Sequence, residues 1–201
     1  MIGPLSTDLT QQPTLHSARL ILRPLCSEDA AAVAALAGDR RVASQLADVP
    51  SPFPLDVAAR WVEARLDRFV RGGGPTFAIT ERVRGAMLLG TVSLRSVPRD
   101  RRAELGYWLG HEFWGAGLAS EAVSRVLRWA FVESNLHRVY AQVIATNQRS
   151  QRVLEKAGME REGTRRGHLK KGRRFVDVDQ YGILRDEWMK SPLAGAKAPH
   201  R

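Results

Sequence analysis

The chain has 201 residues, enough for one ordinary domain and too few for two comfortable ones. At 44% hydrophobic and 26% charged it is composed like a globular protein and not like a disordered one, and no apolar run approaches the roughly 18 residues that a membrane-spanning helix needs. Its net charge of +10 favours anionic partners, but the skew to 26 Arg against 5 Lys is also what GC-rich coding produces, so charge alone selects no partner.

In chain order, residues 1–13 hold two prolines and no periodicity and read as a flexible arm. The arm lacks the basic and apolar regions of a signal peptide, so the cytoplasm is the expected compartment. Leu20–Arg23 reads as a first strand closed by Pro24, and Ser27-Glu28-Asp29 as a helix start before an Ala-rich run. The lone Cys26 excludes a disulfide framework and any Cys-rich zinc site. After a mixed stretch broken by Pro50, Pro52 and Pro54, Ala58, Val62, Leu66 and Phe69 mark one helical face, ended by Gly72-Gly73-Gly74. Strands follow at 77–80, 86–95 and 103–110.

Val123, Val126, Leu127, Ala130 and Phe131 then form a single stripe, predicting a helix over 119–134. A strand at 138–145 leads to a short helix from Asn147 to Ala157, stopped by Gly158. Strands at 161–169 and 174–184 flank Lys171-Gly172 as a hairpin. Residues 14–190 thus read as one α+β domain with a mixed, mostly antiparallel sheet, and 191–201 as a flexible tail.

The informative segment is Glu104 to Ala122, where a strand passes through Gly115 and Gly117 straight into the striped helix. Glycine lets the backbone pass close to a ligand, and the unpaired N–H groups of a helix start favour an anion such as a pyrophosphate. Alone, Gly-Ala-Gly carries little, since two glycines also serve simply to turn a helix off a strand. It is neither the six-residue dinucleotide fingerprint nor a P-loop, as no Gly-Lys-Ser/Thr follows.

The run Ala103-Glu104-Leu105-Gly106-Tyr107-Trp108-Leu109-Gly110, followed by Phe113-Trp114-Gly115-Ala116-Gly117-Leu118-Ala119-Ser120-Glu121-Ala122, resembles motif A of the GCN5-related N-acetyltransferases. It is most similar to the branch of ribosomal-protein N-terminal acetyltransferases containing RimJ and RimL. Further matching blocks begin at Ala18-Arg19-Leu20, Leu136-His137-Arg138 and Asn147-Gln148-Arg149 and end at Leu184–Trp188, so the resemblance spans about 18–188 in the right order. It implies a three-layer fold whose central strands, 103–110 and 138–145, splay apart to admit the pantetheine arm of acetyl-CoA.

By the same resemblance Tyr107, Trp108 and Leu109 pair with that arm. The amides of Gly115, Ala116, Gly117, Leu118 and Ala119 hold the pyrophosphate, and Ser120 adds a hydroxyl. Trp114 stands where the wider family has Gln or Arg, and the Rim branch also has Trp there. Asn147 fixes the strand end and contacts the pantetheine arm. Acetyl transfer in the family is direct, so no nucleophilic side chain is required and Cys26 is read as a small half-buried residue. Glu104 shares a strand face with Gly106 and Trp108 and is the candidate general base, with an ordinary ion pair as the competing reading. The tyrosine that many relatives use to protonate the thiolate is replaced by Leu154. Ser150 is therefore the candidate donor, with helix capping as its bland alternative. His111 reads as a surface residue and His137 as structural; no metal is expected.

The acceptor is less legible. The family's acceptor groove is walled by the first two helices and the final hairpin, and here residues 161–174 carry seven Arg or Lys against one acid, Glu162. This is either a solvated face or a rim that attracts an anionic acceptor, or a protein seated on RNA. Three readings stand: acetylation of a protein N-terminal α-amine, possessing the widest support; acetylation of a small amine (amino acid, antibiotic or metabolite); and a non-catalytic module binding acetyl-CoA or nucleic acid. Direct nucleic-acid binding is not expected, because no aromatic residue interleaves the basic run. Neither a membrane partner nor a particular oligomeric state, monomer or homodimer, is indicated.

Overall fold

Apolar residues that alternate along the central strands sort onto two faces of one sheet, and each face is covered by its own helices. In the computed structural model, which describes residues 12–195 apart from 48 and 84, the strands are β1 (Leu15–His16), β2 (Leu20–Pro24), β3 (Thr76–Glu81), β4 (Leu88–Val97), β5 (Arg102–Leu109), β6 (Arg138–Ile144), β7 (Glu160–Lys171) and β8 (Arg174–Leu184). They form an eight-stranded sheet in the order β1-β2-β3-β4-β5-β6-β8-β7. Every neighbouring pair is antiparallel except β5 and β6, which run parallel. The chain connects those two through α4 (Leu118–Arg128), the crossover that parallel neighbours require.

The α4 stripe does what its spacing implies: Val123, Val126 and Leu127 are fully buried against Leu105, Val139 and Ile79. Each such side chain contributes about 1.5–3 kcal/mol by leaving water. The helix expected to reach 134 instead widens at Trp129–Glu133 into a π turn, closed by Ser134 N–H donating to Trp129 O at 2.9 Å. The opposite face is covered by α1 (Ala30–Ala37) and α3 (Leu55–Val70), whose Val33, Ala58 and Val62 pack with Ala78 and Trp108. Arg23 on β2 grips the buried Asp29 with two hydrogen bonds of 2.8 and 2.6 Å and so fixes the start of α1. Cys26 is half-buried beside them and donates to Asp29.

Two short elements, β1 and α2 (Arg40–Ala43), carry too little periodicity to register in the sequence. Of the expected N-terminal arm, only residues 12–13 are described, with Gln12 Nε2 donating to Thr76 O; residues 1–11 lie outside the described residues. Of the expected C-terminal tail, residues 192–195 form a short turn after α6 (Arg185–Lys190), and Ala194 O accepts from Arg128 at 2.9 Å. Residues 196–201 lie outside the described residues. Among the described residues no helix is long and apolar enough to cross a membrane.

Candidate active site

The site begins where the parallel pair comes apart. β5 and β6 are in register from Arg102↔Arg138 to Leu105↔Ala141 and no further. Beyond that row Gly106–Leu109 pair only with β4, and Gln142–Ile144 only with β8. Backbone groups on the inner edges of both strands are left without a ladder partner, which costs free energy unless something else binds there. The gap is a cleft of about 800 Å³, floored by Leu105 and Ala141, with α4 at one end and α5 (Gln148–Lys156) along one side.

At the α4 end, Gly115 and Gly117 hold φ of +83° and +77°, the left-handed region that glycine tolerates best. The first helical N–H with an acceptor in the helix is that of Glu121, to Gly117 O at 3.1 Å. Those of Leu118, Ala119 and Ser120 precede it and have no acceptor in their own helix. Gly115, Gly117, Leu118, Ala119 and Ser120 all line the cleft; Ala116 does not. Trp114 donates its indole N–H to Leu109 O at 2.9 Å and so ties the turn to the end of β5. Its ring meets that of His111 in a tilted contact, centroids 4.9 Å apart, so His111 packs against the turn and does not stand alone.

The cleft is crossed by a pair of hydroxyls. Tyr107 points its phenol from β5 to α5, with its oxygen 2.6 Å from Ser150 Oγ and 3.0 Å from Ser150 O. Burial pushes the Tyr107 phenol well above its ordinary pKa, so it remains protonated. Ser150 N–H donates to Asn147 Oδ1 at 3.1 Å, making Asn147 the N-cap of α5, and Asn147 N–H closes the end of β6 on Ile144 O at 2.7 Å. Leu154, one turn further along, is buried. Trp108 is also buried, its ring turned to the α1–α3 side while its backbone lines the cleft.

Glu104 sits one row below the opening, opposite Tyr140, and is not among the cleft-lining residues. It lies on the α1–α3 face with Gly106, as alternation requires, and its carboxylate is ion-paired with Arg95. Gly106 keeps the space beside it open: a Cβ there would meet only Ser93 Oγ, at 3.3 Å. The structure therefore brings Tyr107, Ser150, Asn147 and the glycine turn together and leaves Glu104 at the margin.

Some cleft residues are not among the candidates that the sequence singles out. Arg149, Arg152 and Lys156 line the cleft from α5. Their spacing of three and four puts them on one helical face, a pattern that would have flagged them. Arg149 also stands over the Trp114 ring at 5.1 Å. From the other side, Gln45, Leu46 and Ala47 after α2 reach the cleft. On the same sheet face as Glu104, Glu162 lies across Gly182, where a Cβ would fall 2.3 Å from its Oε1, and pairs with Arg138 at 2.5 Å. That partner holds the Glu162 carboxyl below its ordinary value.

The basic hairpin divides on inspection. Lys171 Nζ donates to the carbonyls of Ala43, at 3.1 Å, and Leu46, pinning the hairpin over the end of α2. Arg161 is committed to the buried Asp179 at 2.8 Å, which also takes Thr164 at 2.5 Å and Gln151 at 3.0 Å. Arg166, Lys170, Arg173 and Arg174 are exposed. Among the described residues no group of three His, Cys, Asp or Glu is placed to hold a metal ion.

Comparison with known proteins agrees with this geometry. The model of the acetyltransferase (GNAT) domain family matches residues 19–160. The uncharacterized N-acetyltransferase p20 of Bacillus licheniformis is 30% identical over 176 residues, covering 87% of this chain and 98% of that protein. The [ribosomal protein uS5]-alanine N-acetyltransferase of Escherichia coli is 30% identical over 84 residues, 41% of this chain and 43% of that protein. In fold, the chain is similar to Mycobacterium smegmatis RimJ in complex with CoA-disulfide, with a TM-score of 0.79 at 22% identity over 91% of this chain and 90% of that one.

Proposed function

For a chain that belongs to the GNAT acetyltransferases, we propose that the reaction is transfer of acetyl from acetyl-CoA to the N-terminal α-amine of a protein, of the ribosomal-protein type. The observation that carries the reading is the cleft between the diverging ends of β5 and β6, with unpaired strand backbone along it and a glycine turn at its end. These residues suit acetyl-CoA. The inner edge of Tyr107–Leu109 offers a β-type ladder to the amide-bearing pantetheine arm, and the free N–H groups at Gly117–Ser120 suit the pyrophosphate. Arg149, Arg152 and Lys156 add positive charge along the same wall.

The chain's own groups then divide the work. A backbone N–H at Trp108 or Leu109 stabilises the carbonyl oxygen as it gains charge. Glu104 takes the proton from the attacking amine, directly or through water entering beside Gly106. Ser150, oriented by Asn147 and Tyr107, returns a proton to the departing thiolate. An α-amine, with pKa near 8, needs less help to lose its proton than a lysine near 10.4. That difference suits a base at the margin of the cleft.

The choice of a protein N-terminus draws its support from the uS5-alanine enzyme and from the RimJ likeness. It places the reaction in the cytoplasm, where nascent ribosomal proteins are found. The test is acetyl-CoA turnover against N-terminal peptides and a panel of small amines, with the acetylated nitrogen located by mass spectrometry. Acetylation at the peptide α-amine is expected; small-amine turnover without peptide acetylation would overturn the reading.

A further inference from the structure

Ala116 is the one residue between Trp114 and Ser120 that does not line the cleft, and its backbone explains why. Arg19, at the start of β2, donates from Nη1 to the Ala116 carbonyl at 2.9 Å. Arg19 is itself held from two sides by Glu121 in the first turn of α4. Glu121 Oε2 accepts from Arg19 Nε at 2.7 Å, and Oε1 accepts from the backbone N–H of Arg19 at 2.7 Å and from Ser17 Oγ at 2.8 Å. Burial would raise the Glu121 carboxyl, but these hydrogen bonds outweigh it and hold the group below its ordinary value.

The consequence follows from peptide planarity. In a trans peptide the carbonyl and the following N–H point in opposite directions. With the Ala116 carbonyl drawn back to Arg19, the N–H of Gly117 must point away from Arg19, toward the cleft that Gly117 lines. Turned over, the same peptide would present a carbonyl oxygen to a phosphate, which repels it. Gly117 makes such a turnover cheap, because the rotation runs through its φ and glycine tolerates either sign. Something has to hold the plane.

We propose that Arg19 is a positioning residue for the coenzyme: by anchoring the Ala116 carbonyl, with Glu121 as its brace, it keeps the Gly117 N–H aimed at the pyrophosphate. This rests on the reading that the glycine turn receives the pyrophosphate. Arg19 works from behind the turn and touches no reacting atom. A lysine would keep the charge opposite Glu121 but has no fork with which to reach Glu121 and Ala116 together.

The test compares CoA with pantetheine, which lacks the pyrophosphate, by calorimetric titration of the full chain and of Arg19→Gln and Arg19→Lys. In the wild type, CoA is expected to bind more tightly than pantetheine. Both variants should lose about tenfold or more in CoA affinity, the worth of one charge-assisted contact, while pantetheine affinity stays unchanged. Should Arg19→Gln fail to fold, Arg19→Lys, which retains the ion pair, carries the comparison. Equal loss for both ligands, or full CoA affinity in Arg19→Lys, would overturn the inference. A wild type that binds pantetheine as tightly as CoA would instead overturn the assignment of the turn, and the role of Arg19 with it.

Discussion

The hydroxyls of Tyr107 and Ser150 meet at 2.6 Å across the cleft, joining the strand that lines one wall to the helix that lines the other. Tyr107 has a single proton to give, and either Oγ or O of Ser150 is in reach of it. When the phenol donates to Oγ, the serine's own proton is free to face the cleft. The phenol cannot do this as a phenolate, and burial keeps it neutral.

Ser150→Ala is therefore expected to lower kcat by about a hundredfold, the scale of a lost proton donor, with little change in the KM for acetyl-CoA. Tyr107→Phe should lower kcat less, because the serine remains. Steady-state kinetics with saturating acceptor measures both. Full activity in Ser150→Ala would leave Ser150 as part of the helix cap alone.

Glu104→Gln separates the base from its bland alternative. If Glu104 takes the amine proton, the variant loses most rate at low pH, where the acceptor amine is protonated, and keeps its affinity for acetyl-CoA. An ion pair that only ties β5 to Arg95 on β4 would leave the pH–rate profile unchanged. An unaltered profile removes Glu104 from the mechanism.

Replacing Gly117 with valine forces a branched side chain into a φ of +77° and brings a Cβ to 3.5 Å from Arg19 Nη2. The backbone strain is about 1–3 kcal/mol. Coenzyme binding should be lost while thermal stability falls by about 2–12 °C. Unchanged affinity in calorimetry would mean that the turn does not contact the pyrophosphate.

Asp179 gives a prediction in pH. Arg161, Thr164 and Gln151 hold its carboxyl below the ordinary value, with Arg161 the largest cause. The unfolded chain then binds its proton more readily than the folded one. The stabilisation is present above the ordinary carboxylate value, near 3.9, and disappears as pH falls through the lowered folded value. Asp179→Asn should cost about 1–3 kcal/mol in urea denaturation at pH 7, a moderate figure because Arg161 is half exposed. The gap to the wild type should close as pH falls through that lowered folded value.

Lys171→Ala should free the hairpin from the carbonyls of Ala43 and Leu46. If the hairpin and α2 together wall the acceptor groove, the KM for a peptide acceptor rises about fivefold, corresponding to roughly 1 kcal/mol. The KM for acetyl-CoA is expected to stay as it was.

Features that a single segment dictates were legible in advance. The stripe from Val123 to Phe131 marked α4 because burial on one helical face leaves a 3.6-residue period. Its extent to about 134 was legible but the form of its last turn was not, since nothing in that period distinguishes a π turn at Trp129–Glu133 from further α-helix. Gly115 and Gly117 announced the turn through the positive φ that glycine accepts best. The exposed charge of the hairpin was visible as a run, but not that Arg161 and Lys171 are spent on Asp179 and the end of α2.

By itself, then, the sequence determined the longer elements, the turn and the family blocks, because each depends on backbone preferences and periodicities written within a few residues. Tertiary structure alone decided where the strands part: register holds to Leu105↔Ala141 and fails at the next row. It also decided which side chains meet across that gap. Tyr107 and Ser150 are 43 residues apart in the chain, and Arg19 and Ala116 are 97 apart. Such contacts are set by how strands register and helices pack, and no local pattern encodes them.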